Sequence, residues 1–199
     1  INNKTDLDEK DINWTIIPFL NSPGRMNKSI LSFEFMSDDK NSFDKMKEIQ
    51  NIHNERKKQS GEIFDKLNID MQKSGGGKLY FNYLPALNIG LTGLIATRIG
   101  KSCDKIVIII GDRDKNYSVG SMGTRLNINL FDALTRFKDY FEQFGGHKQA
   151  CGFTIKNENI PIFKKNIEEY FENEIDSAVV YEKYNYFYAL NGFKTEDYT

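Results

Sequence analysis

Disulfide pairs, membrane spans and a surplus of positive charge are all missing from this sequence, and each absence narrows what the chain can do. Its 199 residues include only two cysteines. Cys103 and Cys151 lie far apart and no secretory segment accompanies them, so they are expected as reduced thiols of a cytosolic protein. No apolar run approaches the roughly 20 residues that a membrane-spanning helix needs. Lysine and arginine total 27 against 28 aspartates and glutamates, a formal net charge of -1. A nucleic-acid role therefore cannot rest on overall basicity and needs a local patch. Histidine is as scarce as cysteine, with His53 and His147 alone. Apolar content is modest at 39%, but 13% aromatics and clear apolar periodicity exclude a disordered chain. The length suits one domain with extensions and is enough to bury a real core. A start at Ile1 rather than methionine is expected of a fragment cut from a longer protein.

The first 13 residues are polar, a loosely held lead-in. Trp14 to Leu20 is short and apolar, and Asn21-Ser22-Pro23-Gly24 reads as a turn after it. A short helix is expected from Arg25 to Met36, and Asp38 and Asp39 suit the N-terminus of the next. Phe43, Met46, Ile49, Ile52, Ile63, Phe64 and Leu67 fall mostly at helical spacing, so one long helix is expected over residues 38–69. Its middle, residues 51–61, is strongly polar and is expected to cross open solvent, as a helix joining two separately packed parts would. Ser74-Gly75-Gly76-Gly77 is the clearest flexible break.

Beyond that break, strands and helices alternate. Strands are expected at 78–84, 105–110, 117–122 and 151–155, and helices at 90–99, 130–144 and 160–171. The helix at 130–144 rests on Leu130, Leu134, Phe137, Phe141 and Phe144. Residues 177–190 read as a strand or a hairpin. This alternation indicates an α/β sandwich. Asp112 and Asp114 have the look of a metal loop, but with no third hard ligand at a matching spacing they read as a hairpin turn.

The most pointed stretch chemically is Phe144-Gly145-Gly146-His147-Lys148-Gln149-Ala150-Cys151-Gly152-Phe153-Thr154-Ile155. Glycines can aim several backbone N–H groups at one anion, and histidine adds a hydrogen bond or a charge. The same residues also suit a helix C-cap followed by a tightly packed strand. GGHKQACGFTI resembles the G-G-H-x-x-A-x-G signature of the DHH-associated domain, the substrate-binding half of the DHH phosphoesterases. Three further segments are similar to the RecJ branch, the single-strand-specific DNA exonucleases. Pro18-Phe19-Leu20-Asn21-Ser22-Pro23-Gly24-Arg25 resembles P-R-[IL]-N-A-x-G-R. Gly90-Leu91-Thr92-Gly93-Leu94-Ile95-Ala96-Thr97-Arg98 resembles G-V-I-G-I-V-A-S-R-L. Gly120-Ser121, with Asn129-Leu130 downstream, resembles G-S-x-R-S…N-L. They run in the family's order over residues 14–172.

The resemblance implies a DHH-associated α/β sandwich with a central mixed sheet, preceded by a long connecting helix. Residues 1–37 would be the tail of the DHH catalytic domain and 38–73 the connecting helix with its flexible break. Residues 74–175 would be the substrate-binding domain and 176–199 an extension toward a further domain. It also implies phosphate or substrate contacts for Gly145, Gly146, His147, Asn21, Arg25, Gly90 and Ser121. Arg125 would stand in for the family arginine, whose position here is Gly123. Arg25 has a fork that matches a phosphate, or a helix-start pairing with Asp38 or Asp39. Gly90 and Gly93 suit either close packing or an anion at a helix N-terminus. Arg98 matches a family arginine, with a structural salt bridge as the other reading. Lys148 is a patch residue or plain surface. The departures are Phe19 for the arginine after proline, Ser22-Pro23 for the small pair, and Asn88 for a histidine.

In this family two divalent ions, Mn²⁺ or Mg²⁺, are held by Asp and His residues of the catalytic half. This chain has no D-H-H triplet and no histidine pair, and His53 is expected to be solvated, so no catalytic or metal residue is assigned within it. The resemblance implies the substrate-binding portion of a cytoplasmic exonuclease of DNA repair and recombination. Its partners would be single-stranded DNA or RNA and the catalytic DHH domain of the same protein, with no membrane. A phosphodiesterase of short RNA or cyclic dinucleotides, and a degenerate nucleic-acid-binding scaffold, are the alternatives.

Overall fold

Ile106 to Ile110 are five consecutive apolar residues, and none exposes any surface. An uninterrupted run of this kind suits a strand covered on both faces. It lies in β2 (Ile106–Asp112), which pairs in parallel with β1 (Leu79–Tyr83) and antiparallel with β3 (Tyr117–Gly123). Beyond β3 come β5 (Ala150–Lys156) and, at the edge, β4 (Phe141–His147), both antiparallel, giving the order β1-β2-β3-β5-β4. The structure, a computed structural model, describes residues 6–37 and 41–174. The expected helix cap at Asp38 and Asp39 and the strand or hairpin at 177–190 lie outside the described residues.

Alternation of side chains divides the core into two layers. Ile106, Ile108, Ile110, Met122, Phe153 and Ile155 face α7 (Leu130–Arg136) and α8 (Ile160–Glu174), where Phe163, Ile167 and Phe171 are fully buried. Val107 and Ile109 face the other way, onto α6 (Thr92–Ser102) and the end of α5 (Ser42–Lys73). The parallel β1–β2 pair needs a crossover, and α6 supplies it. The Tyr80 hydroxyl donates to Asp70 at 2.8 Å, tying β1 to the end of α5. Burial, then that carboxylate, pushes the phenol's pKa up.

The N-terminal part is helical. It comprises α1 (Glu9–Asp11), a π-helical turn at Ile12–Ile16, α2 (Ile17–Leu20), α3 (Ser22–Arg25) and α4 (Ile30–Ser37). The turn expected at Asn21 to Gly24 is thus mostly the single helical turn α3, and Pro23 at its second position explains this, since the first turn needs no N–H from it. The helix expected from Arg25 to Met36 is broken between α3 and α4, where Asn27 takes a left-handed φ of 61°.

Two further expectations change. The long helix α5 is present, but its polar middle is not solvated all round. Asn54, Glu55, Lys57 and Lys58 face out, whereas His53 and Arg56 are half-buried. The helix expected over 130–144 stops at Arg136. A 3-10 turn at Lys138–Tyr140 follows, and Phe141 and Phe144 lie in strand β4. Their spacing fits a helix, but a bulge between Phe141 and Gln143 lets both aromatics reach the same core layer from a strand.

Candidate nucleic-acid interface

Helix α6 covers β2 and β3 on its side of the sheet and reaches only slightly onto β5. Past it the sheet face is open and floored by small residues. Ser121 pairs across the sheet with Gly152, and Gly152 with Gly145, so the three share one transverse row on the face of Ile109. The Ser121 hydroxyl lies 2.9 Å from that of Thr92, joining the row to the first turn of α6. A Cβ placed on Gly145 would meet nothing within 4 Å, and its φ is not left-handed. Neither packing nor backbone geometry therefore requires glycine there. What the missing side chain secures is an open floor.

Gly146 is different. Its φ is 142°, and a Cβ would run into the Ala150 carbonyl oxygen and come within 2.6 Å of the Cys151 Cα. This glycine allows β4 to turn through Lys148 and Gln149 into β5. The two glycines thus end a strand rather than a helix. The hairpin tip is anchored: the Lys148 carbonyl accepts from Leu130 N at 2.9 Å and the Gln149 carbonyl from Thr124 N at 3.2 Å. Asn129 caps α7 beside it, accepting from Phe131 N at 3.2 Å. His147 is exposed at the tip, and its Nδ1 accepts the Gln149 N–H at 3.4 Å. In a neutral ring this leaves the proton on Nε2 as a donor. As the edge strand, β4 also turns half of its backbone N–H and C=O groups away from the sheet. Burial pushes the Cys151 thiol up, so no thiolate competes here.

Other residues picked out by sequence have mixed fates. Arg125 falls past the end of β3 in a loop, not on the strand, and its guanidinium pairs with Asp104, Nε at 2.7 Å. Thr124, next to it, holds the hairpin tip, so Arg125 is near His147 along the chain path but engaged. Arg25 donates through Nη1 to the Gly90 carbonyl at 3.2 Å, while Asn88 donates to the Arg25 carbonyl at 3.2 Å. A Cβ on Gly90 would strike the Arg25 carbonyl oxygen and sit 2.8 Å from its carbon, so Gly90 serves close packing of α3 on the 3-10 turn Ile89–Leu91. Asn21 is exposed before α3 and does not cap it. Arg98 stacks on Phe64 at 3.8 Å from the ring centre, and among the described residues it forms no ion pair. Asp114 accepts from Asn116 N and Tyr117 N at 2.9 Å each, the hairpin-turn reading.

His53 is not solvated. Ser22 Oγ gives its one proton to the Pro18 carbonyl at 2.6 Å, so the His53 Nδ1–H, 2.9 Å away, donates to Ser22. Burial, then Arg56 and Lys57, hold the imidazole below its ordinary pKa. Thr92 and Arg56 escaped the reading of the sequence. Thr92 lies inside a quoted motif without a charge to mark it. Arg56 is one basic residue in a polar run, and only its spacing of three from His53 hints that it faces inward.

Among the described residues, no group of three or more His, Cys, Asp or Glu side chains could hold a metal ion. Nor is any described helix long and apolar enough to cross a membrane. A family model for the DHHA1 domain matches residues 76–173. The single-stranded-DNA-specific exonuclease RecJ of Bacillus subtilis (strain 168) is 25% identical over 174 residues, covering 85% of this chain and 22% of that protein. The enzyme of the same name from Thermus thermophilus is 28% identical over 81 residues, covering 41% of this chain and 11% of that protein. The crystal structure of RecJ in complex with Mn²⁺ from Thermus thermophilus superposes with a TM-score of 0.71 at 21% identity, over 83% of this chain and 25% of that one. This chain therefore spans less than a quarter of the length of either curated relative.

Proposed function

Because residues 76–173 are a DHHA1 domain of the RecJ-like branch of the DHH superfamily, we propose that the chain holds the phosphate backbone of a single-stranded nucleic acid for the catalytic half of an exonuclease. Gly145 carries the reading. It is a glycine that the fold does not need, set on an open floor between the α6 turn and His147. A strand laid there would meet the His147 Nε2–H and the outer N–H groups of β4. Contacts of this kind fix position and register without reading bases. Gly146 shapes the turn that presents His147, and Ser121, held by the buried Thr92 hydroxyl, lines the opposite side. Arg125 would join only by exchanging Asp104 for a phosphate. Divalent ions and the hydrolytic step would belong to the catalytic half, as the family resemblance implies.

The N-terminal helices support such a half. Trp14 is 79% exposed, and Ile30, Phe33, Met36 and Phe43 are each more than 60% exposed. Apolar exposure of this extent marks an interaction surface. In this reading it seats the catalytic domain, and α5 joins that domain to the sheet.

The test is a titration of a labelled single-stranded oligonucleotide. Binding by this portion is expected in the non-specific range of roughly 10⁻⁴ to 10⁻⁶ M at physiological salt, weakening as salt rises. His147→Ala and Gly145→Val should both weaken it while leaving the chain folded. Wild-type affinity in both folded variants would remove the site.

A further inference from the structure

The N-terminal helices and the DHHA1 domain share α5, and they meet a second time. Of the helices α1 to α4, it is α3 that makes the main contact with the domain, against the 3-10 turn Ile89–Leu91. Arg25 is the last residue of α3, and the last carbonyls of a helix have no partner within it. The chain then turns away through Asn27, with its φ of 61°. Asn88 supplies the missing donor from the other part. Its Nδ2 donates to the Arg25 carbonyl at 3.2 Å and lies 3.4 Å from the Met26 sulfur. Its Oδ1 accepts the Gly90 N–H at 3.0 Å, which fixes the direction of the carboxamide, since that N–H can only donate. Arg25 returns a bond from Nη1 to the Gly90 carbonyl at 3.2 Å. Gly90 has no room for a Cβ beside the Arg25 carbonyl, so the fit is close as well as polar. Met26 adds an apolar contact with the cluster of Leu87 and Leu91.

The first connection, α5, has one pliable point. Gly61 is the only glycine within it. Ile49, buried among the N-terminal helices, lies before Gly61, and Leu67 and Met71, buried under the sheet, lie after it. A Cβ on Gly61 would meet nothing within 4 Å, so packing does not require glycine there. Glycine weakens a helix interior because it has the most backbone freedom to lose. Bending at Gly61 would swing the N-terminal helices and draw α3 off the turn at 88–91. A few hydrogen bonds have a modest net strength in water, enough to hold such a movement and weak enough to release it.

We infer that Asn88 and Gly90 form a latch on the end of α3, that Gly61 is the hinge it restrains, and that the latch sets the angle between the N-terminal helices and the sheet. Asn88 is then a positioning residue, acting through the Arg25 carbonyl. The latch does not depend on what the His147 hairpin binds. In the reading above, its angle sets how a catalytic half would face that hairpin. Hydrogen exchange read by mass spectrometry on the 199-residue chain tests it. In Asn88→Ala, amides over residues 17–36 and around Gly61 should exchange roughly five- to tenfold faster, the scale of one lost hydrogen bond. Amides of β2, β3 and β5 should keep wild-type rates. Asn88→Ser keeps an acceptor for the Gly90 N–H but cannot reach the Arg25 carbonyl. It should match Asn88→Ala over residues 17–36 while the turn at 88–91 stays protected. Gly90→Ala, which pushes α3 away by its Cβ, should give the Asn88→Ser pattern over residues 17–36, and decides the matter if the Asn88 variants do not fold. Adding Gly61→Ala to Asn88→Ala should restore slow exchange around residue 61. Faster exchange across the sheet as well would make Asn88 a general stability residue and overturn the latch. Wild-type rates over residues 17–36 in Asn88→Ser would reduce Asn88 to the cap of its own turn and also overturn it. Acceleration over residues 17–36 with none around Gly61 would overturn the hinge.

Discussion

At Gly146 the backbone holds a φ of 142°, and a side chain would press on Ala150 and Cys151. One residue earlier, Gly145 has open space where a side chain would be. Gly146→Val should therefore lose at least about 1–3 kcal/mol from backbone strain, read as a lower urea midpoint. Gly145→Val should stay within about 0.5 kcal/mol of wild type and lose affinity instead. Equal stability loss in both would show that the two glycines do the same job. His53 adds a pH dependence. Its ordinary pKa is 6.5, and in the folded chain burial, with Arg56 and Lys57, holds it lower. Between those two values the unfolded chain binds more protons, so this contribution is fully present above 6.5 and is lost as pH falls through the window. The wild-type urea midpoint should fall more than that of His53→Gln as pH drops from about 7.5 to about 5. Parallel curves would place the imidazole in solvent. The glycine pair and His147 stand out in the sequence as a candidate site because a dense motif carries them. His53 does not, since its burial depends on Ser22 and Phe19 arriving from two other helices.

Strand β4 shows where local pattern and fold diverge. Phe137, Phe141 and Phe144 are spaced as on a helix, yet Phe137 lies in the turn after α7 and the other two in the strand. What decides is the aromatic layer under the sheet. The Phe163 ring of α8 lies 5.1 Å from Phe141, 5.4 Å from Phe153 and 5.9 Å from Phe137, all edge-on. Pairing with β5 and this packing together outweigh helix spacing, which is a weak prior for so short a stretch. Phe163→Ala should cost about 3–5 kcal/mol by thermal or urea unfolding. A loss under about 1 kcal/mol would mean that the layer collapses around the gap. The other strands and α5, α6 and α8 were legible, because β-branched runs and long apolar periods leave one solution. The turns at 21–27 were not, since Pro23 and Asn27 act through backbone geometry that apolar spacing does not register.

Across the whole molecule, α5 is the rod on which both parts are mounted. Ile49 is fully buried among the N-terminal helices, and Leu67 and Met71 are buried under the sheet. Gly61 lies between Arg56 and that second anchor, and a Cβ there would meet nothing within 4 Å. Glycine inside a helix costs about 0.8–1.0 kcal/mol relative to alanine. Gly61→Ala should therefore raise stability by about that amount, with no effect on oligonucleotide binding, because the rod keeps its line. Gly61→Pro removes a helical hydrogen bond and crowds the preceding turn, at about 3 kcal/mol or more, and kinks the helix. The kink moves the N-terminal helices relative to the sheet while leaving the hairpin's proposed phosphate contacts chemically intact. Binding by this chain should nonetheless stay near the wild type's, because the His147 hairpin and its floor lie wholly on the sheet side of the kink. Anisotropy titrations of the two Gly61 variants beside wild type, at a temperature where urea unfolding shows all three folded, check this. A clear loss of affinity in folded Gly61→Pro would mean that the N-terminal helices add contacts of their own to the strand, and that α5 sets their place beside the hairpin.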